Sequence, residues 1–121
     1  VYVIYGMHHC LNAVTEPEAY PAAVLIRALQ PCEGLELMRA RRQKQDVRLL
    51  ANGPGNLCQA FGIERGLNGI DLCGDVLFVE DHGTSPADVV ATTRVGVEYA
   101  GPWKAMPWRF YISGHLGVSK R

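Results

Sequence analysis

The stretch VYVIYGMHHCLN, residues 1–12, opens the chain and sets its architecture. Valine, isoleucine and tyrosine dominate its first half, and such β-branched and aromatic side chains are typical of strands. The pattern predicts a strand from Val1 to Leu11. Because Tyr2 and Tyr5 are three residues apart, a strand directs them to opposite faces. Each tyrosine either packs in the core or stacks on a flat ligand such as a nucleobase.

The rest of the chain predicts a mixture of helices and strands. Helices are predicted over residues 34–44 and 57–61, and Gly62 is the expected C-terminal cap of the second. Helices and strands do not alternate regularly, so the expected fold class is α+β, in a single domain over residues 1–121, rather than a doubly wound sheet. The further predicted strands cover residues 23–29, 76–79, 89–97 and 108–112.

Composition narrows the class of protein. The chain has 121 residues, of which 48% are hydrophobic and 20% charged, as in one globular domain with its own core. No apolar run approaches the 18 residues of a membrane-spanning helix. Four cysteines without a C-x-x-C pair predict reduced, buried thiols. The only His/Cys cluster, residues 8–10, alternates between strand faces, so we expect no metal site.

Charge gives two opposed indications about nucleic acid. The formal net charge is zero, which argues mildly against a nucleic-acid partner. Yet five of the twelve basic residues fall within ten positions. Either these form a solvated helix face, or they form a patch that faces phosphates. The five are Arg39, Arg41, Arg42, Lys44 and Arg48.

Three polar features are candidates for a site. Arg27 interrupts the apolar run Val24–Leu29, and a buried guanidinium needs a carboxylate partner or an anion or water to hold. Asn12 either closes a turn or lines a pocket that rejects ligands it cannot satisfy. The turn Gly53–Asn56 precedes a predicted helix, and its backbone N–H groups are able to hold a phosphate. No carboxylate is spaced with a histidine for catalysis.

The order of several motifs along the chain resembles the alkyladenine DNA glycosylases, also called 3-methyladenine or methylpurine DNA glycosylases. The resemblance covers essentially the whole chain and matches the C-terminal part of that family. It implies one α+β domain around a curved, mainly antiparallel sheet. The motifs are YVIYGM and CLN, VLIRALQP-x-EGLE-x-M, NGPG-x-LCQAFGI, DL, and TRVGVEYAGPWK-x-x-PWRFYISG.

The resemblance also implies roles for particular residues. It places Tyr5 at a hairpin tip, where it fills the gap left by a flipped nucleotide, with Met7 beside it. Tyr2 matches a wall that stacks on the flipped base, and Asn12 an amide that disfavours guanine. Arg27 and the Val95 carbonyl match groups that hold the catalytic water. Gly53 and Asn56 match a contact to the DNA backbone, where the family often has lysine at the position of Asn56.

The implied activity is base-excision repair of alkylated or deaminated purines in double-stranded DNA. The enzyme flips the base out and hydrolyses its N-glycosidic bond, which leaves an abasic site. The resemblance implies a monomer without metal or organic cofactor and without membrane contact. The short form looks bacterial, which indicates a cytoplasmic, nucleoid-associated protein; a eukaryotic one would be nuclear.

One expected element has no match in these residues. In this family a glutamate activates the attacking water as general base, and it belongs to a segment ahead of the position that matches Val1. We therefore expect the 121 residues alone to release little or no base. Two other hypotheses stay open: a catalytically inactive module that binds DNA lesions, and an unrelated α+β binding domain.

Overall fold

A computed structural model describes residues 1–4, 8–86 and 88–118. Helices and short antiparallel strands make up a small domain, so the expected α+β class is confirmed. Among the described residues the strands form three two-stranded antiparallel sheets, in place of the single curved sheet that the resemblance implied. The strands are β1 Tyr2–Ile4, β2 His8–Cys10, β3 Asn12–Val14, β4 Ala23–Leu25, β5 Val89–Thr92 and β6 Arg109–Ile112; the α-helices are α1 Leu35–Arg42 and α2 Pro54–Phe61; short 3₁₀ helices cover Val47–Leu49, Arg65–Leu67 and Glu98–Ala105.

The opening stretch is a hairpin rather than one strand. β1 and β2 run antiparallel, with Tyr2 opposite Cys10 and Val3 opposite His9. The prediction of a continuous strand from Val1 to Leu11 is wrong because β propensity marks residues that suit a sheet and does not locate the reversal between them. Tyr5 and Met7, which the resemblance placed at the hairpin tip, lie outside the described residues.

The second sheet leads directly to Arg27. β3 pairs with β4 so that Asn12 lies opposite Leu25. The predicted strand over 23–29 therefore ends early, but the chain stays tied down beyond it. The Ile26 N–H donates to the Leu11 carbonyl at 3.0 Å, and the Leu29 N–H donates to the Ala51 carbonyl at 3.1 Å. These two bonds fix the backbone on either side of Arg27.

The two α-helices follow the sequence prediction closely. α1 lies within the predicted range and buries Met38. α2 begins three residues earlier than predicted, because Pro54 occupies its first turn, where a missing N–H costs nothing. It ends at Gly62, whose φ of 68° is left-handed, and the Ile63 N–H closes the end on the Cys58 carbonyl at 2.8 Å. The expected glycine cap is confirmed.

The core lies between the two helices and the β1–β2 hairpin. Leu50, Leu57 and Ala60 are fully buried there. α2 contributes most to this core and packs against both α1 and β2, so the hairpin is fixed to a rigid support. The buried cluster comprises Leu11, Met38, Leu50, Ala51, Leu57, Cys58, Ala60 and Ile63.

Two predicted strands are corrected. The strand over 89–97 ends at Thr92, and its partner β6 confirms the strand predicted over 108–112. Residues 76–79 form no strand: the first two lie in a bend and the last two have no regular secondary structure. The Val79 N–H donates to the Leu72 carbonyl at 3.0 Å and Leu77 packs against the core, whereas Val76 and Val79 are each 71% exposed. Without a pairing partner, a β-prone run does not form a strand.

The cysteines are free, as the sequence predicted, but only two are buried. Cys10 and Cys58 lie in the interior, whereas Cys32 and Cys73 are exposed. The prediction of burial was therefore wrong for the second pair. No helix among the described residues has the length and apolar character needed to cross a membrane.

Candidate nucleic-acid site

Tyr2 and Asn12 lie together at the edge of the β1–β2 hairpin. The pairing places Tyr2 opposite Cys10, and Asn12 follows two residues later. Tyr2 keeps 49% of its surface exposed, so its ring is open to a ligand. Partial burial raises the pKa of the Tyr2 phenol, and the nearby Asn12 amide opposes that rise. The two side chains thus share one polar environment.

The Asn12 amide has spare hydrogen-bonding capacity. Its Nδ2 is buried, and no acceptor in the described part of the chain completes a well-formed hydrogen bond to it. The Tyr2 phenol lies close to this amide, and the Asn12 side chain favours the ionised form of the phenol. A buried amide donor without a partner is costly, so this atom favours a ligand that brings an acceptor.

Arg27 supplies positive charge to the same region. Its side chain is half-buried, and burial lowers the pKa of its guanidinium, as does the charge of Arg109. No Asp or Glu of the described residues forms an ion pair with it. The ion-pair explanation of Arg27 therefore fails for this part of the chain. An arginine that faces an anion or a water stays a prediction.

Cys10 connects the two halves of the site. It is buried, and burial raises the pKa of its thiol, whereas the positive charge of Arg27 opposes that rise. Because Cys10 also pairs with Tyr2 across the hairpin, Tyr2, Asn12 and Arg27 all lie around it. The structure brings these three predicted residues together.

Two residues of the cluster were missed from the sequence. Arg109 is 6% exposed, and its guanidinium lies 4.9 Å from the centre of the Tyr111 ring. Arg109 interrupts an apolar strand just as Arg27 does. The argument that identified Arg27 from the sequence would therefore also have identified Arg109. Tyr99 is 87% exposed and near enough to raise the Tyr2 pKa. No local pattern marks Tyr99, because its place depends on the 3₁₀ helix Glu98–Ala105.

Val95 lies in a turn beyond the end of β5. Thr92 pairs with Arg109 at the last rung of the β5–β6 ladder, and the chain then turns at Gly96, whose φ is 74°. No described residue donates a hydrogen bond to the Val95 carbonyl.

Gly53 and Asn56 form the first turn of α2. No acidic residue lies in that turn, so the exposed ends of the helix N–H groups keep their positive character. The Asn56 side chain is committed elsewhere, since its Nδ2 donates to Asn52 Oδ1 at 2.9 Å. His8 of β2 lies directly beside Gly55. A groove of about 430 Å³ opens between β2 and α2 here, away from Tyr2.

The arginine-rich segment is chiefly a structural brace. Arg42 donates to the carbonyls of Leu50 and Leu49, both at 3.0 Å, and to the Gln59 side chain at 2.9 Å. Arg41 donates to the Ala60 carbonyl at 3.1 Å. The remaining guanidiniums form ion pairs, Arg39 with Glu36 and Arg48 with Asp46. The structure therefore supports neither sequence prediction completely, the solvated helix face or the phosphate-facing patch. Most of these cationic side chains bind groups of the protein itself.

A metal centre has no support in the described residues, where no three His, Cys, Asp or Glu side chains are grouped as ligands. His8 is exposed, His9 half-buried and Cys10 buried. Burial therefore increases along β2 from His8 to Cys10 rather than alternating from one residue to the next.

Comparison with known proteins identifies the class that this arrangement belongs to. Residues 1–116 match the family model for methylpurine-DNA glycosylase. The chain belongs to that family, as its motifs indicated, and the alternative of an unrelated binding domain is excluded.

Relatives from several microorganisms carry the provisional name 3-methyladenine DNA glycosylase. The chain is 52% identical to one from Methanocella arvoryzae over its full length and 61% of the relative's. It is 45% identical to one from Desulfitobacterium hafniense, over 98% of this chain and 63% of the relative. One from Anaeromyxobacter dehalogenans is 49% identical, with 99% and 53% covered. The chain thus spans a little over half the length of these relatives.

Proposed function

We propose that the protein acts in base-excision repair, where it flips a damaged purine out of double-stranded DNA and hydrolyses the N-glycosidic bond. Family membership supports a glycosylase for methylated purines. The observation that carries the finer proposal is Arg27, a half-buried guanidinium without a carboxylate partner among the described residues, in one cluster with Tyr2 and Asn12. An aromatic ring, an amide and a cation are the groups that a flipped nucleotide needs.

Tyr2 and Asn12 form the base-recognition part of this proposal. The exposed Tyr2 ring stacks on the flipped base, since stacking on a single base contributes about 1–3 kcal/mol. The free Asn12 Nδ2 donates to a purine acceptor. Guanine carries an extra amino group, a donor, which the Asn12 donor cannot satisfy. Asn12 therefore rejects guanine by an unmet hydrogen bond.

Arg27 and Val95 form the hydrolytic part. The reaction passes through an oxocarbenium-like transition state at the sugar carbon, and a water attacks that carbon as the base leaves. Arg27 donates to the water or to the phosphate of the flipped nucleotide, and the Val95 carbonyl accepts from the water. Neither group removes a proton, so the general base in this proposal is a carboxylate supplied from outside the 121 residues.

The duplex contacts complete the proposal. Tyr5 and Met7, in the β1–β2 connection, insert where the nucleotide has left, and the N–H groups of Gly53–Asn56 hold a backbone phosphate. Because Asn56 is neutral and bonded to Asn52, that phosphate contact is weaker than one made with lysine. Non-specific binding should accordingly depend only modestly on salt, since few phosphates are neutralised.

Base release from a defined duplex tests this proposal. Duplexes that contain one hypoxanthine or one 3-methyladenine are incubated with the product of the complete reading frame and, separately, with residues 1–121 alone. We expect the first to generate abasic sites and the second to generate almost none. Base release by residues 1–121 alone would overturn the claim that the general base comes from outside these residues. Lesion-specific binding by the complete product without any release would instead identify the second candidate, a catalytically inactive lesion-recognition module.

A further inference from the structure

The turn that carries Val95 is tied to an aromatic cluster by the residue before it. The Arg94 Nη2 donates to the Trp103 carbonyl at 3.2 Å, and its guanidinium lies 5.2 Å from the centre of the Trp108 ring. Trp103 and Trp108 stack on one another, with ring centres 5.7 Å apart and planes 16° from parallel. Arg94 therefore contacts both members of a stacked pair.

These contacts join two separate parts of the chain. Arg94 follows β5, whereas Trp103 lies in the 3₁₀ helix Glu98–Ala105 and Trp108 precedes β6. A hydrogen bond fixes the end of the guanidinium, and the attraction between cation and ring fixes its plane. Because the Arg94 side chain is held at both ends of this contact, the Arg94 backbone has little freedom. The same restraint extends to Val95, which is the next residue.

The arrangement is poorly explained as a stabilising feature. The Arg94 Nε is buried and has no hydrogen-bond partner in the part of the chain that the structure describes. A buried donor without an acceptor costs free energy. The two tryptophans remain 56% and 48% exposed, so the cluster buries little apolar surface in return. A buried donor left unpaired for so little apolar burial points to a task other than stability.

We infer that Arg94 is a positioning residue that, with Trp103 and Trp108, holds the Val95 carbonyl where it orients the catalytic water. This inference rests on the proposed function. The Val95 carbonyl accepts no hydrogen bond from any described residue, so nothing else in that set fixes its direction. Gly96, with φ at 74°, makes the turn tight but does not restrain it.

Arg94→Met in the product of the complete reading frame tests the inference, because methionine keeps an apolar stem but cannot donate or attract the ring. A misplaced water-orienting group lowers single-turnover base release by about tenfold to a hundredfold. Binding of the lesion duplex and the melting temperature stay unchanged. Arg65→Met, at an exposed arginine of the 3₁₀ helix Arg65–Leu67, is the matched control and keeps full activity. Arg94→Lys restores charge near Trp108 and recovers part of the rate.

A second readout does not depend on activity. Trp103 and Trp108 are the two tryptophans of the 121 residues, so the tryptophan fluorescence of the 121-residue chain, in which this readout is made, reports on the cluster. Arg94→Met shifts that emission and accelerates amide exchange over residues 93–98, whereas Arg65→Met does neither. Unchanged emission and unchanged exchange overturn the inference, whether or not the wild type releases base. Absence of base release by the wild type would separately contradict the proposed function. Equal losses of binding and base release would instead make Arg94 a phosphate contact.

Discussion

Replacement of Arg42 by methionine tests whether the arginine-rich segment braces the fold or faces DNA. The substitution keeps most of the apolar stem and removes three hydrogen bonds from α1 to the following helices. The hydrogen bond to the Leu50 carbonyl is partly buried and charge-assisted, so it contributes about 1.5–2 kcal/mol to the unfolding free energy. The two exposed hydrogen bonds contribute about 0.5 kcal/mol each. The expected loss is about 3 kcal/mol of unfolding free energy, or roughly 10 °C in melting temperature for a domain of this size.

Thermal unfolding followed by circular dichroism measures this loss, and DNA binding at several salt concentrations tests the alternative. If Arg42 contacted a phosphate, its removal would lower the slope of log affinity against log salt by about 0.9. The bracing account predicts no change in that slope. Arg65→Met is the control for loss of one surface charge and should melt within about 2 °C of the wild type. An unaltered melting temperature with a reduced salt slope would refute the reasoning.

Three further predictions concern the site, a cap and the thiols. Asn12→Ser should weaken the discrimination between hypoxanthine and guanine about tenfold in base-release assays; unchanged selectivity would remove Asn12 from the pocket. Gly62→Ala should cost at least about 1 kcal/mol in urea unfolding, because φ is left-handed and a Cβ would lie 3.0 Å from the Arg41 guanidinium carbon; equal stability would refute the cap. Burial raises the pKa of Cys10, so at pH 8 it has less thiolate than a free thiol and iodoacetamide should label it far more slowly than exposed Cys32; mass spectrometry of the labelled peptides would reveal equal rates if this is wrong.

The helices were predictable because their signals are local. Leu35 and Met38 fall on one helical face, and Gly62 supplies a left-handed residue where α2 must stop. The strands were less predictable from the sequence, because a strand forms only where another strand pairs with it. β propensity identified residues 76–79 as readily as β6, but only β6 has a neighbour to pair with.

The candidate site shows the same division. Arg27 was identified from its apolar surroundings alone, since burying a guanidinium always demands an explanation. Its proximity to Asn12 and Tyr2 was not readable from spacing, because it depends on how the β1–β2 and β3–β4 sheets meet around Cys10. The carbonyl partners of Arg42 lie up to eight residues away. Charge pattern alone therefore suggested a phosphate patch where the fold has a brace.

The most direct test of the central claim compares base release with DNA binding for Arg27→Ala. The variant and the wild type, each from the complete reading frame, are assayed on a duplex that contains hypoxanthine, with single-turnover release and equilibrium binding measured in the same buffer. Our account predicts that base release falls at least about a hundredfold, whereas binding weakens much less. Equal losses in the two quantities would contradict it and reduce Arg27 to a structural or phosphate contact.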